Sequence, residues 1–300
     1  MTTKHAILSA LAAAACLAAA SSTQAASPTL DKIRSSGALT LGYRESSVPF
    51  AYLGAEQKPV GLSMDLCAAV AEKVRSQLNL PALKVAYTAV NASNRIPLIQ
   101  NGTIDVECGS TTNTADRQKQ VAFSVATFAS QPSWLTTTAS GLTGAAGLKG
   151  KTVVVTQGSL NLALAQKISK EAGLDLVFIQ AKEQAESLLM LRTGRAAAWF
   201  EDKILQAGLA AAAPDPKALA FLPDQYGGND YYGLMLPKGD PEFKAVVDGA
   251  IKETMASGEF ARLYAKWFTS PIPPNGQNLA LEMSAALKAR ISSPSDALTP

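Results

Sequence analysis

Between residues 38 and 108 the sequence alternates short apolar runs with helix-patterned segments, and that alternation leaves few folds open. Residues 38–43 (Ala-Leu-Thr-Leu-Gly-Tyr) read as a strand, as do 84–90 and a buried run ending at Cys108. Between them, Leu66, Val70, Val74 and Leu78 recur at helical spacing, with Asp65 placed to cap, and a short helix follows near residue 95 before the Asn101-Gly102 turn. Strand–helix–strand repetition of this kind specifies a parallel sheet with helices on both faces. A second set occupies 151–200: the strand Lys151-Thr-Val-Val-Val-Thr, a helix from about Leu160, a strand at 176–179, a helix at 184–193 stopped by Gly194, and a strand at 196–200. A helix at 30–36 closed by Gly37 precedes the first set, and a strand at 231–236 with helices at 241–258 and 259–268 follows the second. Pro271-Ile-Pro-Pro stops the last helix, leaving a tail to Pro300 whose order the pattern does not settle. The expectation is an α/β protein of two lobes, the second inserted into the first, with chain crossings near 128–131 and 227–231 as hinges. A length of 300 residues suits two domains.

Polar residues gather where the strands end. Arg44 follows the first strand. The stretch from Ser93 to Arg117 sets Arg95 at a helix start, then a loop rich in hydroxyls and amides, Gly109-Ser110-Thr111-Thr112-Asn113-Thr114, before Arg117. The Gly158-Ser159-Leu160 turn opens a helix whose free amides favour an anion. Asp202 lies just past a strand, as a helix cap or as a counter-ion for a cation. Ligands of open α/β sheets bind at the carboxyl ends of strands, and an arginine fork suits a carboxylate. The competing reading is a polar surface loop with solvated arginines. Phe50 and Tyr52 are either pocket walls or ordinary core. Taken together, three cations, one anion and a set of hydroxyls and amides match a zwitterion that carries an additional acidic group. Gly150-Lys151-Thr152 resembles the end of a phosphate-binding loop, but Ala145 stands at the first glycine position and the element precedes a strand, so nucleotide binding is rejected.

Composition removes several function classes. There are 27 Lys+Arg against 24 Asp+Glu, a net charge of +3, with no basic run or stripe, so nucleic acid is not an expected partner. Lys4 and His5, an apolar run from 6 to 20, and small residues before Ala25 and Ala26 read as a secretory signal peptide over 1–26. Cys16 raises a lipoprotein reading, which Ala13 disfavours. His5 is the single histidine, so removal of the signal excludes histidine-based triads, general bases and zinc sites. Cys67 and Cys108 remain in an exported chain, either bridged or as two buried thiols. No later segment is apolar for long enough to span a membrane. No metal or cofactor is expected.

Several motifs carry a family resemblance. Arg-Glu-Ser-Ser-Val-Pro-Phe (44–50), Asn-Arg-Ile-Pro-Leu (94–98), Gln-Asn-Gly-Thr (100–103), Glu-Cys-Gly-Ser-Thr-Thr-Asn (107–113), Arg-Gln-Lys-Gln (117–120), Gly-Arg-Ala (194–196) and Lys-Trp-Phe with Pro-Ile-Pro-Pro (266–274) resemble the glutamate/aspartate periplasmic binding proteins of bacterial ABC importers. The resemblance implies a periplasmic monomer with two mostly parallel α/β lobes, 27–129 with 231–300 and 130–230, closing over one amino acid and docking on a membrane permease. It places Arg117, Thr112 and the amide near Leu160 on the α-carboxylate, Ser110 and Asp202 on the α-ammonium, and Arg44 and Arg95 on the side-chain carboxylate. Two positions depart from the family pattern: Ala92 replaces a serine and Gln184 replaces a histidine, each removing a donor or a charge from the distal end of the pocket. A retuned scaffold for another amino acid or dicarboxylate, and a dehydratase-like enzyme, are the alternatives.

Overall fold

The computed structural model describes residues 27–228 and 230–299; the expected signal peptide, with its Cys16, lies outside them. α1 (Pro28–Ser36) starts on Ser27, whose hydroxyl accepts from the Leu30 amide at 3.1 Å, and ends at Gly37. β1 (Ala38–Tyr43) follows, then a small antiparallel ribbon of β2 (Ser46–Ser47), β3 (Ala51–Leu53) and β4 (Pro59–Val60). α2 (Leu62–Gln77) buries Leu66, Val70 and Val74 completely. It begins earlier than its pattern suggests, so Asp65 sits in the first turn rather than at the cap. The Asp65 carboxylate instead accepts from Trp267 Nε1 at 2.7 Å and pairs with Lys266 at 2.7 Å, tying α2 to the end of the chain's last long helical segment. β5 (Lys84–Ala89), α3 (Arg95–Gln100), β6 (Val106–Cys108), α4 (Ala115–Gln118) and β7 (Ala122–Phe123) complete the pass, and β8 (Phe128–Ser130) leaves it.

The second pass runs β9 (Pro132–Thr137), β10 (Thr152–Thr156), α5 (Asn161–Glu171), β11 (Val177–Ala181), α6 (Gln184–Arg192), β12 (Ala198–Asp202), α7 (Lys203–Ala211) and β13 (Leu219–Phe221). The chain returns through β14 (Asp230–Tyr232) to β15 (Met235–Leu236), then α8 (Pro241–Ala256), α9 (Glu259–Tyr264) with its π-helical extension Ala265–Thr269, and α10 (Ala285–Ser292). The single strand expected at 231–236 is two. At Gly233 the backbone amide donates to Thr111 O at 3.2 Å instead of continuing the ladder, and the chain crosses to another sheet.

Each lobe is a five-stranded sheet, β5-β1-β6-β15-β7 in the first and β11-β10-β12-β9-β13 in the second. In both, three strands pair in parallel, and one antiparallel strand (β15 or β9) joins them to an outer strand (β7 or β13) that runs with the parallel set. The parallel strands are joined by helices, as crossover geometry requires; the antiparallel ones are where the chain passes between lobes. β10 reads Thr-Val-Val-Val-Thr with its three valines fully buried, because helices cover both faces of the sheet. The antiparallel β8–β14 ladder carries both crossings. It is anchored by aromatic packing: Phe128 stacks on Phe268 at 5.2 Å, and Phe50 meets Phe128 at 4.9 Å and Tyr232 at 5.2 Å, ring centroid to centroid. Phe50 and Tyr52 are thus core residues, Tyr52 donating to Pro273 O at 2.8 Å.

The tail is ordered. Arg290 on α10 lies over the Tyr231 ring at 4.2 Å and donates to Ala297 O and Thr299 O at 2.8 and 2.6 Å. Farther on, Ser295 O accepts from the Ala126 amide at 2.9 Å, and Asp296 O from Asn113 Nδ2 at 2.9 Å. The tail thereby straps the crossover ladder from outside.

Cys67 on α2 and Cys108 at the end of β6 form a disulfide, Cα atoms 6.2 Å apart, closing a segment of 41 residues. Replacing both cysteines with alanine should lower the unfolding free energy by about 2–4 kcal/mol. Urea denaturation would report this as a reduced midpoint, and reductant should bring the wild type to the same value.

Candidate functional site

Between the two sheets lies a cavity of about 160 Å³, lined by Arg44, Ala92, Arg95, Ser110, Thr112 and Arg117 from the first lobe. Ser159, Leu160, Asn161, Gln184, Glu201 and Asp202 line it from the second, and Asp230 from the ladder. Every residue singled out from the sequence as a ligand contact borders this one space, as do the two departures, Ala92 and Gln184. The volume suits a molecule the size of one amino acid, well below the ~300–1,000 Å³ of drug-sized sites.

The arginines arrive on different elements. Arg44 follows β1, Arg95 opens α3, and Arg117 sits on α4, whose start Thr114 caps by accepting from the Arg117 amide at 3.3 Å. All three are almost fully buried. Arg117 Nη1 donates to Thr112 O at 2.9 Å, and Arg95 Nη1 lies 3.8 Å from Glu107 Oε1. Arg44 Nη2 reaches into the second lobe, to Glu183 Oε2 at 2.8 Å and Gln184 Oε1 at 2.9 Å. Arg44 Nε, Arg95 Nε and Ser110 Oγ are buried without a protein partner. Buried donors are ordinarily satisfied, so these three point to a polar ligand.

The loop that carries Ser110 and Thr112 is a held structure, not a solvated surface turn. Ser63 Oγ donates to Gly109 O at 2.7 Å, the Asn113 amide donates to Tyr231 O at 2.8 Å, and Thr111 Oγ1 donates to Glu107 Oε2 at 2.6 Å. Thr112 makes an antiparallel bridge with Tyr232, so the hydroxyls project from a backbone tied to the ladder.

Opposite stands an acidic wall. Asp202 Oδ2 accepts from the Tyr232 hydroxyl and Oδ1 from Asn161 Nδ2 at 3.3 Å. It makes no side-chain bond to the first amides of α7, which removes the helix-cap reading. Glu201 accepts from Thr156 Oγ1 at 2.7 Å and from Asn161 Nδ2. Leu160 opens α5 without a side-chain cap, leaving the helix start directed at the cavity.

Burial governs the protonation of this wall. It pushes Glu201 up to about 7, with the Asp202 charge adding to it and the Thr156 hydroxyl opposing it. Asp202 is raised by burial, against the Tyr232 and Asn161 hydrogen bonds and the Arg117 charge. Asp230 is pushed up to about 6 by burial and by Asp202, with Arg117 pulling it down. On the other side burial draws Arg95 down to about 9, which still leaves it charged at neutral pH, and draws Arg117 down as well.

Sequence reasoning missed Glu201, Asn161, Asp230 and Glu107. Glu201 and Asp202 are consecutive in β12, and strand alternation predicts that only one of them faces the cleft; the strand ends here, and both border the cavity.

The model of the bacterial extracellular solute-binding proteins, family 3, matches residues 39–270. An L-glutamate/L-aspartate-binding protein of Pseudomonas aeruginosa is 46% identical over 271 residues, 89% of this chain and 89% of that protein. A glutamate/aspartate import solute-binding protein of Escherichia coli is 42% identical over 274 residues, 91% of this chain and 90% of its own length. Among solved structures, an ancestral arginine-binding protein bound to arginine superposes with a TM-score of 0.67 at 27% identity, covering 77% of this chain and 98% of that one. An ancestral amino acid-binding protein described as a precursor of cyclohexadienyl dehydratase gives 0.68 at 25%, covering 80% of this chain and all of the other, 100%.

The raised carboxyls fix the direction of the pH response. Glu201 and Asp230 hold protons in the folded chain that the unfolded chain releases near its ordinary values of 4.5 and 3.8. Their contribution to stability is therefore greatest below those values and is lost as pH rises through about 6 and about 7. A bound ammonium reverses this by favouring the charged forms. Ligand affinity should fall as pH drops from 8 to 5.5. Calorimetry in buffers of unequal ionisation heat should detect proton release on binding.

Proposed function

Because the chain belongs to the bacterial extracellular solute-binding proteins, family 3, we propose that it captures glutamate or aspartate between its lobes and delivers it to the permease of an ABC importer. The observation that carries this reading is the opposition of three buried arginines on one lobe to Asp202 and Glu201 on the other, across a space the size of one amino acid. A zwitterion with a second carboxylate complements that charge pattern. Neutral or cationic side chains would leave the buried Nε of Arg95 without an acceptor at the distal end, and an unsatisfied buried donor is costly.

In this reading the α-carboxylate lies on Arg117, Thr112 and the amides that open α5 near Leu160. The α-ammonium lies on Ser110 Oγ and Asp202, with Glu201 and Asp230 behind. The side-chain carboxylate meets the free Nε atoms of Arg44 and Arg95. Gln184 belongs to this end too. Its Oε1 accepts from Arg44 at 2.9 Å and from Ser47 Oγ at 3.3 Å, which fixes the carbonyl and leaves the NH2 group as a donor for the ligand. Ala92 supplies room and no bond. These features favour an acidic amino acid over a retuned ligand, and the chain's closely similar relatives carry the names of binding proteins, not of dehydratases.

The β8–β14 ladder is the proposed hinge, dividing 27–129 with 231–300 from 130–230. Export to the periplasm by residues 1–26 and action as a single chain belong to the same proposal.

Titration calorimetry of refolded, ligand-free protein should find glutamate or aspartate as the tightest ligand among the acidic amino acids, their amides, histidine and succinate. Tighter binding of an amide would overturn the assignment. Arg117→Ala should abolish binding of every α-amino acid. Arg95→Ala should weaken glutamate by about tenfold or more and barely change any residual glutamine binding.

Closure can be blocked at one atom. A Cβ on Gly208 of α7 would stand 2.4 Å from Val48 O on the first lobe. Gly208→Ala should therefore hold the lobes apart and weaken ligand binding, while the helix itself gains up to ~1 kcal/mol from the better helix former. Melting temperature and calorimetry on the same sample would separate the two effects.

A further inference from the structure

Arg44 belongs to the first lobe and is 1% exposed, and its Nη2 bonds across to the second lobe. Its closest anionic contact is not in the cavity wall. Glu183 Oε2, on the second lobe one residue before α6, lies 2.8 Å from Arg44 Nη2 and does not line the cavity. Four further bonds converge on the same place. Ser46 Oγ donates to Glu183 Oε2 at 3.2 Å and accepts from the Ala185 amide at 3.3 Å. Gln184 Oε1 accepts from Arg44 and from Ser47 Oγ. All five bonds join the β1–β2 segment of one lobe to the start of α6 on the other, so none can persist when the lobes separate.

We propose that Glu183 is a closure latch: a positioning residue outside the binding site that stabilises the closed form through Arg44 and Ser46, whichever acidic amino acid is bound. The energetic argument rests on burial. Closing the lobes strips water from the Arg44 guanidinium, and a desolvated cation requires a compensating anion. Glu183 provides one from the protein. The ligand's distal carboxylate then completes the coordination of Arg44 at Nε but does not carry the whole desolvation cost. Glu183 remains 20% exposed on its side chain, which keeps the pair near the edge of the cleft and its strength at the modest end for a charge-assisted bond. A group that acts on closure, away from the ligand, should slow escape of all ligands equally and leave entry unchanged, since encounter occurs in the open form.

The latch deepens the reading of the cavity as an acidic amino acid site, and its test has one arm that does not depend on that reading. Exposed positions on the two lobes, Lys84→Cys and Lys170→Cys, accept a fluorophore pair while the buried Cys67–Cys108 disulfide stays inert. In unliganded protein, Glu183→Ala should shift the interlobe distances toward the open form. Stopped-flow dissociation should then show glutamate and aspartate leaving about tenfold faster, by the same factor for both, with association rates unaltered. Glu183→Gln, which keeps an acceptor for Arg44 and Ser46 but not the charge, should fall between. Adding Ser46→Ala to Glu183→Ala should cost less than the two single effects combined, because both remove one cluster. Unchanged interlobe distances overturn the latch, and so do dissociation rates that stay the same, fall, or change unequally for the two ligands. If neither amino acid binds the wild type, the site reading fails, and the distance measurement still decides the latch.

Discussion

Three guanidinium groups inside a protein must be answered by opposite charge, and most of this molecule is arranged around that requirement. Arg44, Arg95 and Arg117 are held on separate elements of one lobe; Arg44 and Arg117 each spend part of their hydrogen-bonding capacity on the protein, and Arg95 lies 3.8 Å from Glu107. Arg95 leans on Glu107, Arg44 on Glu183, and Arg117 faces the Asp202 wall. The compensation is incomplete by design of the geometry, since Nε of two arginines and the Ser110 hydroxyl stay without partners. A site that satisfied itself fully would have no reason to bind anything, and one left fully open would cost too much to bury.

That balance explains why so much of the scaffold is rigid. The Ser110–Thr112 loop is pinned to Ser63, to the ladder and to Glu107, while the disulfide fastens the strand end before it to α2. Charged hydrogen bonds lose strength quickly with misalignment, so the donors are held by backbone bonds. In the proposed closure, movement falls to the two crossings of the β8–β14 ladder, whose aromatic anchors lie on the first lobe's side. On that proposal, the bonds between the β1–β2 segment and the start of α6 form together as the lobes close.

Much of the architecture was legible because strand–helix alternation is a periodic signal. Leu66, Val70 and Val74 locate α2's buried face, and the valines of β10 announce a covered strand. Arg44, Arg95, Arg117 and Asp202 were recoverable because ligands of such sheets gather at strand ends. What escaped depended on tertiary geometry. Glu201 hides behind alternation, Asp230 enters from the ladder, and Gly233 splits an apparently continuous strand by giving its amide to Thr111. Asp65 looks like a cap, but its partner is Trp267, two hundred residues away in sequence. Glu183 offered no local signal, because its meaning lies in a residue of the other lobe.

The tail gives the protein a handle outside the cleft. Arg290 clamps Tyr231 from behind, one residue from Asp230 at the cavity, and the 295–296 carbonyls grip Ala126 and Asn113 beside the ladder. Whatever is grafted onto these last residues, such as an affinity tag or a fluorescent reporter, sits against the residues that flank the two crossings. Under the proposed closure, a sensor built on that end would load the crossings it reports on, whereas one placed along the open edge of β11, the outermost strand of the second sheet, would stand clear of them.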